Sequence, residues 1–374
     1  MTDYGEPVNF WRTAWWHFVG VLAILGLVAW LAPAPTPTDQ AMMEKVGQGV
    51  IVTGCADLNC FRILVPAVVE SFPGPSLPRW RAYAVVANAA AAVATGRLAL
   101  ALGLAPNAVV LTIWLAALGA GSFSTVYHPY NADPLVLCLA PIITLLVLRG
   151  RTVAAGMLAT AGIFAKEFAA APLYVAAVAS AVRREWPVFR TRLALALAVT
   201  AAWVALQLVL MSSFNYSYND NPSSKPLAGG YLRLWLEHVT PATAAFGLFG
   251  AFGALNLMLP VGWKQAPRIL KDLCVGAIPA LLAFVYVATP ERALWNFYFL
   301  AVPVAAIVLA QVPPVLSWIF VAAYTLANFR IGAQISQAPA SRYALAVSIA
   351  IALFAVVRAW RAPRLPAELT IATP

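Results

Sequence analysis

Charge is scarce in this sequence. Asp, Glu, Lys and Arg make up 10% of the 374 residues, while 62% are hydrophobic. A soluble domain carries about 25% charged residues, so this chain lacks the means to cover its surface against water. Lipid must be the solvent over most of that surface. Catalytic signatures are missing too. There is no P-loop, no HExxH, no GxSxG and no haem-attachment motif. No span carries the repeated arginines of a voltage sensor. Cysteine is limited to four residues. Cys138 and Cys274 fall in or beside apolar segments and read as buried thiols. Cys55 and Cys60 flank Ala-Asp-Leu-Asn, where a disulfide is expected if the loop lies outside the cytoplasm. A zinc site is disfavoured, because no second Cys or His pair is near.

The charge that is present is mostly positive, with a net of +10. It clusters in short loops: Arg149 and Arg151; Arg183, Arg184, Arg190 and Arg192; Lys264, Arg268 and Lys271; Arg358, Arg361 and Arg364. The positive-inside rule accounts for that pattern, and nucleic-acid binding is not needed to explain it. The apolar run Trp15–Leu31 is long enough to remain as a span. Ala32-Pro-Ala-Pro follows it, a poor context for signal cleavage.

Hydrophobic runs predict an all-α, polytopic membrane protein of about 12 segments, one transmembrane domain over 1–374. The segments are 11–32, 82–104, 106–122, 134–148, 152–165, 168–182, 193–212, 242–262, 273–289, 296–312, 314–329 and 343–358. A cytoplasmic N-terminus puts every basic cluster and both termini on the cytoplasmic side. Residues 152–182 are decisive. As one helix they would extend about 46 Å, against a hydrocarbon core of about 30 Å. They would also put two basic loops on opposite faces. Two short helices meeting near Lys166-Glu167 resolve both conflicts. Segment 134–148, about 22 Å long by the same rise, is also too short to span. Short helices around one region imply a water-filled cavity.

The external parts are then 33–81, 122–133, the tip at 166–167, 213–241, 290–295 and 330–342. Loop 33–81 is the largest, and Met42–Val52 within it suits an interfacial helix. Loop 213–241 is polar and aromatic. Nine of the 14 acidic residues fall outside or at the tip: Asp39, Glu44, Asp57, Glu70, Asp133, Glu167, Asp220, Glu237 and Glu291. Several abut membrane segments, where an unpartnered charge is costly, which suggests a polar cavity open to the outer face.

Each candidate carries two readings. Asp39 suits a general base for an incoming hydroxyl or a helix N-cap for 40–50. Asp57, between the cysteines, suits a turn. Arg62, in Cys60-Phe-Arg-Ile-Leu-Val-Pro66, suits a bidentate phosphate ligand or snorkelling at the interface. Asp133 precedes Pro134 and suits a helix cap, which leaves His128 and Asn131 in Tyr127-His-Pro-Tyr-Asn-Ala-Asp133 unexplained. Lys166-Glu167 lies in Gly162-Ile-Phe-Ala-Lys-Glu-Phe. Intramembrane ionisable residues are functional by default, the bland alternatives being mutual neutralisation or a structural hairpin lock. Arg292 suits a second phosphate ligand, while Trp295, Phe297, Tyr298 and Phe299 read as an interfacial aromatic belt.

In their order these stretches resemble the GT-C superfamily of polytopic glycosyltransferases over about residues 10–310. The stretches are Asp39 after the first span, Phe61-Arg-Ile-Leu-Val-Pro66, Asn131-Ala-Asp-Pro134, Gly162-Ile-Phe-Ala-Lys-Glu167 and Glu291-Arg-Ala-Leu-Trp-Asn-Phe-Tyr-Phe-Leu-Ala-Val-Pro303. The sequence departs from that family in having no paired acidic residues after the first span and no soluble periplasmic domain. The resemblance implies inverting transfer of a sugar from a polyprenyl-phosphate donor to a hydroxyl on a lipid or glycan acceptor. Asp39 would be the general base, and Lys166, Arg62 or Arg292 would stabilise the departing phosphate. Asp133 would help hold a divalent metal or the acceptor. His128, Asn131 and Glu167 would line the substrate site. The setting implied is a bacterial inner membrane. The rival readings are a lipid-linked glycan flippase or secondary transporter, a polysaccharide polymerase or glycan acyltransferase, and a membrane assembly subunit. A transporter predicts matched halves, and 1–185 and 186–374 show no such symmetry.

Overall fold

The computed structural model describes residues 10–33, 35, 37–217, 240–284, 290–329 and 339–361, and these form helices and connecting turns without a strand. Loop residues Asp220 and Glu237, Arg364 and most of 330–342 lie outside the described residues. Five helices are long and apolar enough to cross a membrane. They are α1 (Phe10–Leu31), α4 (Ser76–Ala101), the α5–α6 unit (Pro106–Ala117 and Ala120–Tyr127), α10 (Trp186–Phe214) and α17 (Pro339–Arg361). A sixth passes if the bent pair 241–257 and 259–265, meeting at 57°, counts as one span. The other elements are shorter: α2 (Pro37–Gly47), α3 (Leu64–Glu70), α7 (Asp133–Leu148), α8 (Thr152–Ile163), α9 (Ala171–Val182), α11 (Pro241–Phe252), α12 (Leu259–Gln265), α13 (Arg268–Phe284), α14 (Pro290–Trp295), α15 (Tyr298–Leu309) and α16 (Pro314–Asn328). Over its described residues each predicted segment coincides with a helix, a helix pair or part of one, residues 285–289 of the segment 273–289 lying outside them. Among the described residues five or six meet the length requirement as independent crossings, and the rest of the expected segments, half-spans included, are shorter apolar helices, so the count of about twelve is not confirmed.

α1, α10 and α17 are peripheral. Only 28%, 22% and 22% of their apolar windows are buried. Their outward faces carry Trp16, Trp30, Leu208 and Trp360 exposed, as lipid-facing surfaces do. The interior is formed by α4, α5, α6, α12, α15 and α16, with Trp80, Phe123, Phe320 and Tyr324 fully buried. Glycines set two of its closest approaches. A Cβ on Gly262 of α12 would collide with the Val304 carbonyl of α15, and one on Gly276 of α13 with the Val175 carbonyl of α9. Small residues of this kind let helix backbones meet where no water-driven force brings them together.

Three expectations need correction. The aromatics Trp295, Phe297, Tyr298 and Phe299 are no interfacial belt, since all are 3–6% exposed and packed in the core. Gly119 and Gly121 make room for them, because a Cβ there would lie 2.7 Å from Tyr298 Oη or 3.0 Å from Trp295 Cγ. The predicted span 106–122 breaks at Leu118-Gly119, and α6 continues to Tyr127. Cys138 and Cys274 are half-buried rather than buried.

The hairpin expected at 152–182 is present. α8 ends at Ile163 and α9 begins at Ala171, joined by a 3-10 turn over Glu167–Ala170. Arg192 shows that both helices return to one end. Its guanidinium donates to the Ser180 hydroxyl at 2.7 Å and to the carbonyls of Ala176 and Val147, each at 3.3 Å. The end of α7, the end of α9 and the start of α10 therefore meet beside the basic loops. At that same end of α13, Asp272 lies 3.9 Å from Arg183. The Lys166 tip lies at the opposite end, beside the start of α7.

Candidate functional site

The site is assembled around the first turn of α7. Before it, the Pro129 carbonyl accepts the Asn131 N–H at 2.7 Å, and the Asn131 side-chain amide donates to the His128 carbonyl. Asn131 Oδ1 accepts the Asp133 N–H at 2.9 Å, and the Tyr83 hydroxyl accepts the Leu135 N–H at 3.1 Å. Two of the N–H groups that a helix start leaves unsatisfied are thus filled by side chains. Asp133 is freed from the capping role its place before Pro134 suggested. Ala132 is the N-cap, and the Asp133 carboxylate points elsewhere.

It points at two cations. Asp133 Oδ1 is paired with Lys166 Nζ, and Asp133 Oδ2 with Arg292 Nη2 at 2.9 Å. The Asp133 and Lys166 side chains are 5% and 8% exposed, that of Arg292 44%. The carboxylate is therefore a buried anchor, and the guanidinium presents its outer face to the surroundings. Lys166 reaches Asp133 because α8 stops short. The Gly162 carbonyl accepts the N–H of both Ala165 and Lys166, at 2.9 and 3.0 Å, and Lys166 then takes an extended backbone. Lys166 makes its ion pair with Asp133 rather than with Glu167, which acts on it only electrostatically. Arg292 is set by α14, whose Arg292 and Ala293 carbonyls accept the Asn296 side-chain amide at 3.3 and 3.1 Å.

Arg62 closes the third side. The Cys55–Cys60 disulfide, with Cα atoms 6.4 Å apart, holds a 3-10 turn over Leu58–Phe61. Asp57 caps that turn by accepting the Asn59 N–H at 2.7 Å, the turn role expected of it. Asn59 Oδ1 in turn accepts from Arg62 Nη1 at 3.1 Å. Arg62 Nε is buried and lacks a partner among the described residues. The guanidinium acts electrostatically on both Asp133 and Lys166. The loop is tied to the hairpin tip through the Leu64 N–H, which donates to the Phe164 carbonyl at 3.0 Å.

Three cations thus surround one carboxylate, a formal surplus of two positive charges within the cluster itself, with Glu167, Asp39 and Glu291 acting on it from outside. Both Asp133 oxygens are engaged, while Arg62 and Arg292 keep donors to spare. Such a site is suited to a phosphate, which accepts charge-assisted and bidentate hydrogen bonds from guanidinium groups. Asp39 is exposed in the first turn of α2, within that helix rather than at its N-cap, and exerts an electrostatic effect on Arg292. It is a carboxylate beside the cluster that is not ion-paired into it. Asn131 and the His128 carbonyl shape the turn before Asp133, and the half-buried imidazole is not among the Asp133 ion pairs. Among the described residues no group of three His, Cys, Asp or Glu is placed to hold a metal ion.

A second polar network lies beside the site and was not singled out from the sequence. Glu70 accepts from Trp80 Nε1 at 2.6 Å, from the Ser76 hydroxyl at 2.9 Å and from Arg79. The Tyr130 hydroxyl lies 3.4 Å from both Ser76 and Glu44. The network joins α2, α3 and α4 to the turn carrying Asn131 and Asp133. Glu44 and Glu70, as acidic residues outside the spans, gave the signal of it. Comparison with protein-family profiles, curated proteins and solved structures returned no match.

Proposed function

We propose that this protein is an inverting membrane glycosyltransferase of GT-C type. It moves a sugar from a polyprenyl-phosphate donor to an acceptor hydroxyl at the outer face of the membrane. The observation that carries the reading is the Asp133–Lys166–Arg292 ion-pair cluster, with Arg62 beside it, at the helix ends opposite the basic loops. Its surplus positive charge would receive the donor phosphate and stabilise the negative charge that grows on it as the sugar–oxygen bond breaks. Asp133 would hold the cations in place. Asp39 would take the proton from the acceptor hydroxyl as that oxygen attacks the anomeric carbon. The bundle would sit in a bacterial inner membrane with both termini cytoplasmic, as the basic loops favour.

The test is a transfer assay in proteoliposomes with radiolabelled polyprenyl-phosphate sugars, comparing wild type with Asp39→Asn and Lys166→Ala. Transfer by wild type, reduced at least about 100-fold in Asp39→Asn and lost in Lys166→Ala while both variants stay folded, is the expected result. Movement of labelled lipid between leaflets without transfer would replace this reading with a flippase.

A further inference from the structure

Beside the cation cluster, a cleft of about 380 Å³ lies among α8, α9, α10 and α13. Its wall is largely apolar, formed by Phe168, Tyr174, Val178 and Trp203 among others. Its two hydroxyls are already paired. Tyr174 and Thr200 lie 2.7 Å apart, and Thr200 also donates to the Ala196 carbonyl at 3.0 Å. One polar group on that wall is left over. Glu167 is half-buried; its charge acts on the neighbouring Lys166, but among the described residues its carboxylate makes no hydrogen bond or ion pair. Phe168 connects the cleft to the cluster, because Lys166 Nζ sits 5.0 Å from the centre of its ring.

Apolar walls exclude a free sugar or nucleotide, whose many polar groups would go unpaired there. They suit a hydrocarbon chain. The charge at the mouth decides which kind. A lipid phosphate is joined directly to its chain, so seating that chain here would set its negative charge against Glu167. An uncharged headgroup would instead offer hydroxyl donors to the spare carboxylate, a charge-assisted bond. We infer that this cleft seats the chain of a neutral, hydroxyl-bearing lipid whose headgroup donates to Glu167, so that the acceptor is membrane-borne. The inference rests on the glycosyltransferase reading only for the word acceptor. The cleft and its ligand class stand without it.

Photolabelling in proteoliposomes tests the assignment without requiring transfer. The probes are a diazirine-bearing neutral glycolipid and a diazirine-bearing long-chain phosphate monoester. The neutral probe is expected to label peptides containing Tyr174 and Trp203. Glu167→Gln should lower that labelling about tenfold, the equivalent of one charge-assisted hydrogen bond. Val178→Trp, which fills the cleft, should abolish it. Equal or stronger labelling by the phosphate, unaffected by Glu167→Gln, would overturn the inference and assign the cleft to the donor. No labelling of the cleft by either probe would overturn it as well. Cleft labelling without transfer would remove the proposed activity and leave the cleft assignment intact, while transfer without cleft labelling would do the reverse.

Discussion

A buried carboxylate held between two cations responds unequally to removal of one partner and removal of a pair. Asp133→Leu would strand Lys166, 8% exposed, with no counter-charge in a region of low dielectric. The cost of an uncompensated buried charge is about 3–5 kcal/mol. Replacing both residues, as Asp133→Leu with Lys166→Met, removes the stranded charge and leaves Arg292 free to turn outward. The double variant should therefore unfold in detergent at nearly the wild-type denaturant concentration, while still failing to transfer sugar. A double variant as unstable as the single one would mean that the pair stabilises the fold itself. The members of this cluster were legible in the sequence one at a time. Lys166 stood out as a charge in an apolar run, Arg292 as a charge between spans, and Asp133 as a polar residue before a proline. Their pairing was not legible. Asp133 and Arg292 are 159 positions apart, and no local periodicity links a helix start to a distant arginine. Glu167 was legible as a charge, but that Lys166 would pair with Asp133 rather than with its neighbour was not, because adjacency in sequence implies little when the backbone between two residues is extended.

At the scale of elements, hydrophobic runs located the helices and misjudged their ends. The α5–α6 break shows why. Nothing in the run 106–122 interrupts its apolar character. The break is set by a contact made with another helix, where Gly119 lies against the Tyr298 ring. That ring is 6% exposed and its hydroxyl donates to the Ala251 carbonyl at 2.7 Å. The same contact explains why the aromatics after Arg292 were mistaken for an interfacial belt. A belt and a core cluster have the same composition, and only the facing glycines tell them apart. Gly119→Ala should force Tyr298 from its place and cost about 1–3 kcal/mol, as overpacking of a filled core does. Gly26→Ala is the matched control, since a Cβ there meets nothing within 4 Å; it should leave the melting temperature unchanged or slightly raised. Equal effects of the two substitutions would show that the α6–α15 contact is not tight.

The whole molecule is polarised from end to end. Arg192, bridging the last turns of α7 and α9, gathers the basic loops at one end. The Asp133 cluster, the disulfide-bound turn and the Glu70 network occupy the other. The sequence anticipated this through the requirement that two basic loops share a face, which a single helix over 152–182 would violate. What it left open is how a bundle with five or six helices of full length accommodates so many shorter ones. α7 and α8 each run between the basic end and the cation cluster, and none of α7, α8 and α9 meets the length needed to cross alone. On the proposed topology their site-side ends stop below the outer interface, and the polar groups there need water, partners or substrate. Single cysteines placed in a cysteine-free background distinguish this arrangement from a simple crossing. Arg151→Cys and Arg190→Cys should react with a membrane-impermeant thiol reagent from the same side of oriented vesicles. Ser71→Cys, exposed beside the Glu70 network, should react only from the opposite side. Were α8 and α9 one continuous span, positions 151 and 190 would label from opposite faces, and the cation cluster could not lie at the tip of a hairpin.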